Sequence, residues 1–256
     1  MSNEVTTTVE VLERGDIFFV YRPRVQEESA EGLQDVQRSY MVLSPEGKRR
    51  HRLIVLGQKR LPDIQDGGDR VWGYVEAVKP DPRKLEDALD RRTYRTKTRG
   101  ERVQPEARPA GEGVYAIVRH DDHTHLAYEL ELPSQPGEVQ EELEIEPEAT
   151  YIISIKNPEA PSPPGAGLRG ERKVDFPRRL RDQFRGRRFA DADPPAFLDY
   201  EGAEVLLIGA EEDVSEELGI QLNAERETVE TAEIFTKLKL EQDEHPIEPL
   251  TKGEWR

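Results

Sequence analysis

Three stretches of the chain can be laid on one another as a strand, a helix and a second strand, and this recurrence limits the fold more than any other feature. Leu130-Glu-Leu-Pro-Ser-Gln-Pro-Gly-Glu-Val-Gln-Glu-Glu-Leu-Glu-Ile145 aligns without a gap on Val205-Leu-Leu-Ile-Gly-Ala-Glu-Glu-Asp-Val-Ser-Glu-Glu-Leu-Gly-Ile220. Each runs into a segment of one pattern, Ala149-Thr-Tyr-Ile-Ile-Ser-Ile-Lys156 and Ala232-Glu-Ile-Phe-Thr-Lys-Leu-Lys239. A weaker third copy joins Val71-Trp-Gly-Tyr-Val-Glu-Ala-Val78 to a helix over Leu85 to Leu89 and then to Tyr94-Arg-Thr-Lys-Thr98. Each repeat helix has two or three core positions (Val139, Leu143 and Ile145; Val214, Leu218 and Ile220). Such a helix buries one narrow stripe and must pack on the sheet its own strands build. The paired acids Glu141-Glu142 and Glu216-Glu217 then fall on solvated helix faces. A catalytic carboxylate pair is the sharper reading of them, and a charged solvent face is the expected one.

The remaining elements are mostly strands. Ile17-Phe-Phe-Val-Tyr21 is β-branched and aromatic, with Pro23 marking its end. Ser39-Tyr-Met-Val-Leu43 and Arg52-Leu-Ile-Val-Leu56 flank a hairpin loop, and Val114-Tyr-Ala-Ile-Val118 pairs with Leu126-Ala-Tyr-Glu-Leu-Glu-Leu132 as a second hairpin. The segment Phe176 to Phe189 is expected to be helical and basic. The pattern predicts a β-rich α+β fold, with mostly antiparallel sheets, short helices and internal strand–helix–strand repeats. The Pro- and Gly-containing stretch near residue 110 divides it into an N-terminal β-rich subdomain, 1–103, and a C-terminal α+β subdomain, 104–256, closely packed enough to count as a single domain.

Composition narrows the classes of function. At 256 residues the chain can bury a sizeable core, although only 35% of it is apolar. The net charge of −16 speaks against non-specific coating of DNA. With no cysteine, disulfides, thiolate metal sites and a cysteine nucleophile are all excluded. No apolar run approaches the roughly 20 residues that span a bilayer, and no basic and apolar leader is visible, so a soluble, cytoplasmic protein without a membrane partner is expected.

The sharpest candidate for chemistry is Arg119-His-Asp-Asp-His-Thr-His125, which holds three of the five histidines. With Asp121-Asp122 as the turn, His120 faces His123 and His125 follows two residues on, so all three imidazoles project from one face. Three His ligands with an open fourth position is an arrangement of catalytic zinc, so a divalent metal such as zinc is the candidate cofactor. Tyr115, Ile117, Leu126, Tyr128 and Leu130 take the opposite, core face. The plainer reading is a polar hairpin tip that needs no metal. His51 and His245 read as surface.

Basic clusters stand out from the acidic background. One runs from Arg91 to Arg102 and interleaves Tyr94 with Arg95 and Arg99; a second holds Arg178, Arg179, Arg181 and Arg185; Lys48-Arg-Arg-His-Arg52 is a third. Converging, they would form a phosphate-tracking surface. Otherwise they are ordinary ion-pair partners of the many Asp and Glu. Gly165-Ala-Gly-Leu-Arg-Gly170 follows a Pro-rich loop and not a strand, which argues against a dinucleotide turn, and no P-loop, nucleophile elbow or His-Glu-x-x-His is present.

Gly15-Asp-Ile-Phe-Phe-Val-Tyr21, with the later Trp72-Gly-Tyr-Val-Glu-Ala-Val-Lys-Pro-Asp81, resembles the EVE domains of the PUA-like superfamily, which bind modified bases. The resemblance covers under a tenth of the chain, with about fifty residues where that family has a short link, and carries over no ligand-binding residue. With no complete catalytic constellation legible, the expected function is a non-catalytic binding or assembly protein, with a protein partner or self-association. The alternatives are a metal-dependent hydrolase or lyase at the histidine tip, and nucleic-acid binding through the arginine clusters.

Overall fold

The computed structural model describes residues 9–65, 67–162, 174–211, 214–224, 227–228, 231–238, 240 and 245–256, without the side chains of 86, 87, 216 and 217. The 165–170 glycine motif and the paired side chains of Glu216 and Glu217 therefore lie outside the described residues. Among the described residues there are eleven strands: β1 (Val9–Pro23), β2 (Val36–Pro45), β3 (His51–Leu56), β4 (Arg70–Lys79), β5 (Arg92–Thr96), β6 (Gly100–Gln104), β7 (Arg108–His120), β8 (His123–Leu132), β9 (Glu148–Lys156), β10 (Phe189–Asp191) and β11 (Glu204–Gly209).

Eight of them close a barrel. Taken in the order β1, β2, β3, β4, β11, β9, β8, β7 and back to β1, every pairing is antiparallel. The short β10 continues along the edge of β9 where β8 has ended, pairing Phe189 with Lys156. β5 and β6 form a separate two-stranded hairpin. The barrel takes four strands from 1–103 and four from 104–256, so one continuous sheet crosses residue 104.

The sequence of β1 shows why the wall is so apolar. Ile17, Phe19 and Tyr21 point into the barrel, whereas Phe18 and Val20 point outward beneath covering helices. A strand buried on both faces reads as an uninterrupted apolar run instead of an alternating one. Inside, Met41, Tyr115, Ile117, Tyr128, Tyr151 and Ile153 complete the core, each Met or Ile side chain contributing about 1.5–3 kcal/mol by leaving water. Outside, Leu85 and Leu89, Ile234 and Leu250 cover Phe18, Val20, Val42 and Leu53. The helix Val214–Leu218 covers Ala116, Val118 and Ala127.

Both ends of the barrel are filled. Where β3 begins, Phe197 packs edge to face on both Phe176 and Phe184, at 5.2 and 5.4 Å between ring centroids. At the other end lie the helix Glu138–Leu143 and the C-terminal Trp255, whose ring stands 5.0 Å from that of Tyr21. Glu142 is no bare solvent carboxylate, since it accepts hydrogen bonds from the Leu33 amide and the Trp255 indole. The closest strand crossings among the described residues fall on two glycines. A Cβ on Gly15 would lie 2.2 Å from the Ser44 carbonyl oxygen, and one on Gly113 2.1 Å from that of Glu129.

The α+β expectation with internal repeats is overturned. The fold is a β-barrel, and the three aligned stretches do not form equivalent units. After the Leu130–Ile145 copy comes β9, a barrel strand. After the Val205–Ile220 copy, the segment expected as a strand is the helix Glu233–Lys237. Ile234 and Leu238 satisfy a spacing of two and a spacing of four alike, and burial of both under the outer layer settles the ambiguity as helix. After the weakest copy comes β5, which pairs only with β6. The basic segment 176–189 is likewise not one helix: Arg178–Arg181 forms a single turn, followed by a 3-10 turn and then β10. Among the described residues no helix is long and apolar enough to cross a membrane.

Candidate nucleic-acid interface

The β5–β6 hairpin carries Arg92, Arg95, Lys97, Arg99 and Arg102 against one carboxylate, Glu101. Its loop closes through Gly100 at φ 68° and through Thr96, whose hydroxyl accepts from the Arg99 amide at 3.0 Å. The register sets Tyr94 opposite Arg102 and Arg92 opposite Gln104, which puts these four on one face of the hairpin. Arg95 lies on the other face, opposite Glu101, and Arg99 is in the turn. Among the described residues none of the five cations forms an ion pair. A two-stranded ribbon is marginal alone. This one is tied to the barrel by the Gln26 amide on the Val103 carbonyl (2.8 Å) and the Gln104 side-chain amide on the Pro23 carbonyl (3.3 Å).

At its foot, on the outer wall of the barrel, is a groove of about 710 Å³. Arg22, Arg38, Tyr40, Lys84, Arg92 and Tyr94 line it. Arg22 stands on β1 with 4% of its surface exposed. Its Nη1 donates to the carbonyls of Asp90 (3.2 Å) and Pro105 (3.0 Å), and its Nη2 to that of Ala88. It thereby clamps the excursion between β4 and β7 to the barrel wall. Its Nε has no hydrogen-bond partner among the described residues, and no carboxylate pairs with it there. Burial pulls its pKa down, and the cations of Arg92 and Arg38 push the same way, against upward pulls from Tyr40 and Asp90. Arg38 is paired with Glu76 at 3.1 Å and Lys79 with Glu201 at 2.7 Å. Lys84 and Arg92 have no such partner among the described residues.

The other basic clusters are differently placed. Lys48, Arg50 and Arg52 are taken up by Glu13 and Asp199. Arg178 faces Asp182 at 3.7 Å and Arg181 faces Asp175 at 3.9 Å, while Arg179 is exposed. Arg185 lies beside the histidine tip, in a polar pocket of about 210 Å³ shared with His123, Arg119, Asp121, Asp122 and Asp191. That tip pairs with the start of β1, at Val9, whereas the β5–β6 hairpin is tied to its end, at Pro23. Arg178, Arg179, Arg181 and Arg185 are thus separated from Arg95 and Arg99 by the length of β1, and the clusters do not converge.

The histidine hairpin has the turn Asp121-Asp122, with His120 opposite His123 and His125 opposite Val118. The His120 and His125 rings stand 5.5 Å apart between centroids. Their face is not open to solvent throughout, because Val118 on it is covered by the helix Val214–Leu218. Burial, with a smaller contribution from His120 and His123, lowers the His125 pKa to about 4, while His123 is exposed. Among the described residues the side chains whose ligand atoms all fall within 4.8 Å of one another are Glu131, Glu227 and Glu233, not the three histidines. His245, expected at the surface, is buried and bonded to the Ala107 carbonyl at 2.7 Å.

Sequence reasoning found the cation density around Arg95 and Arg99 but missed Arg22, Arg38, Tyr40 and Lys84. The one local signal was an arginine set between Tyr21 and Pro23 at the end of an apolar strand. Compared with family models, curated proteins and solved structures, the chain matches none of them.

Proposed function

We propose that this chain is a non-catalytic binding protein whose partner is single-stranded nucleic acid, engaged by the β5–β6 hairpin. The observation that carries the reading is the unpaired charge of that hairpin. In a protein of net charge −16, five cations stand together without a carboxylate partner among the described residues, whereas Lys48, Arg50 and Arg52 lie against Glu13 and Asp199. Tyr94, 44% exposed, adds the aromatic surface on which bases stack. A flexible single strand can follow a short ribbon and offer its bases to it, which a stiff duplex cannot.

Fluorescence polarisation with a labelled twenty-nucleotide strand tests this. If about four phosphates are contacted, affinity falls on the order of 50-fold between about 50 and 200 mM salt, and the matching duplex binds more weakly. Salt-insensitive binding, or none at low salt, rejects the reading.

A further inference from the structure

Phosphate tracking needs only exposed cations, and the hairpin tip supplies them. The groove at its foot differs, because its floor holds a buried guanidinium with a spare donor. Taking such a cation out of water is costly unless an opposite charge accompanies it. The three carbonyls on Arg22 satisfy donors without neutralising its charge. Arg38 and Lys79 are matched by Glu76 and Glu201, which leaves Arg22, Lys84 and Arg92 around one space without an ion-pair partner among the described residues. The same space has an apolar side, made by Tyr40, Ala77, Ala88 and Tyr94. Gln37 and Gln104 also line it. Its volume of about 710 Å³ lies in the range of small-molecule sites, about 300–1,000 Å³.

A ligand matching these walls has several negative charges at one end and a flat, partly apolar body at the other. We propose that the groove is a binding site for a phosphorylated nucleoside, with its phosphates against Arg22, Lys84 and Arg92 and its base against Tyr94. Guanidinium forks suit phosphate oxygens, and the face of a tyrosine accepts any base. A free nucleotide and the 5′-phosphorylated end of a single strand present the same chemistry. The inference deepens the nucleic-acid reading for the second source and stands apart from it for the first.

Calorimetric titration of the full chain with ADP, a 5′-phosphorylated dithymidylate, adenosine and inorganic pyrophosphate tests the site. ADP or the phosphorylated dinucleotide is expected to bind one to one, with adenosine and pyrophosphate each at least about tenfold weaker, and the tighter of the two nucleotides names the source. Tyr94→Ala should weaken nucleotide binding about tenfold, the loss of one stacked base. Lys84→Glu combined with Arg92→Glu should abolish it. Arg22→Lys should weaken it too, but Arg22 also clamps backbone, so the exposed pair serves as the test independent of folding. Pyrophosphate binding as tightly as ADP overturns the proposal, as does failure of both nucleotides to bind while the twenty-nucleotide strand binds. ADP bound without any affinity for the strand supports the groove and rejects the nucleic-acid reading.

Discussion

The guanidinium of Arg52 is wholly buried between two carboxylates, its Nη2 lying 3.1 Å from Glu13 Oε2 and 2.7 Å from Asp199 Oδ1. The Tyr115 hydroxyl donates to Glu13 at 2.9 Å, and Lys48 reaches the same carboxylate from the surface at 2.6 Å. Glu13 belongs to β1, Arg52 to β3 and Asp199 to the turn after Pro195, so the cluster ties three distant parts of the chain at one barrel end. Removing one member of such a cluster strands the others as uncompensated charge. Arg52→Ala should cost about 3–5 kcal/mol in urea unfolding, and Arg52→Lys less. A loss within the ordinary surface range of about 0.5 kcal/mol would show that the cluster adds nothing to stability.

Two buried carboxyls should tilt the pH dependence of stability in opposite directions. Burial pushes the Glu13 carboxyl up, but Arg52 and Lys48 outweigh it and hold the pKa below its ordinary 4.5. The stability Glu13 contributes is therefore present above 4.5 and lost as pH falls through the lower folded value. Glu112 has the opposite sign. Burial, then the neighbouring Glu227 carboxyl, raises its pKa to about 8, although the amides of Glu233 and Ile234 donate to it. Its contribution is complete below 4.5 and is lost progressively between 4.5 and about 8. Chemical denaturation across pH should show Glu13→Gln flattening the loss below 4.5 and Glu112→Gln flattening the decline between 4.5 and about 8. Unchanged slopes would remove these two groups as the cause.

Gly15→Ala and Gly113→Ala should each destabilise the barrel by about 1–3 kcal/mol, because the new methyl meets a carbonyl oxygen that is part of the neighbouring strand and cannot swing away. Gly47→Ala is the control, since its Cβ would meet nothing and only its φ of 66° is strained. Thermal unfolding midpoints that rank Gly47→Ala as the most damaging would contradict the close crossings.

The two arginine clusters should separate in binding assays. Arg95→Glu with Arg99→Glu should reduce affinity for a single strand at least about tenfold and make the salt dependence shallower. Arg178→Glu with Arg179→Glu, at the far end of β1, should change it less than about twofold. The reverse order would move the interface to the helix Arg178–Arg181.

Local features of this fold could be read from the chain, and non-local ones could not. The β7–β8 hairpin register followed from Asp121-Asp122 and the alternation around Tyr115 and Tyr128, because turn chemistry and side-chain period act within a dozen residues. Closure could not be foreseen, since nothing in Glu204–Gly209 names Val71 and Trp72 as its partners. The apparent repeat misled because short apolar segments recur for reasons of burial alone. The site divides the same way. Five cations in thirteen residues are visible in sequence, whereas Arg22 becomes notable only when Ala88, Asp90 and Pro105 are folded onto it.

The position of β11 between β4 and β9 also governs how the molecule can be made. It is the last strand of the described chain to be synthesised, yet both of its neighbours are finished well before it. A nascent chain that has reached β9 is an open ribbon with two unsatisfied edges, carrying Val71 and Trp72 on one and Ile153 and Ile155 on the other. Such edges invite pairing with a second nascent chain. Six residues, arriving late and pairing with a strand laid down some 130 residues earlier, convert an aggregation-prone sheet into one without a free edge around the barrel. A chain interrupted before residue 204 should therefore be recovered in aggregates, and the ribosome has to deliver the keystone last.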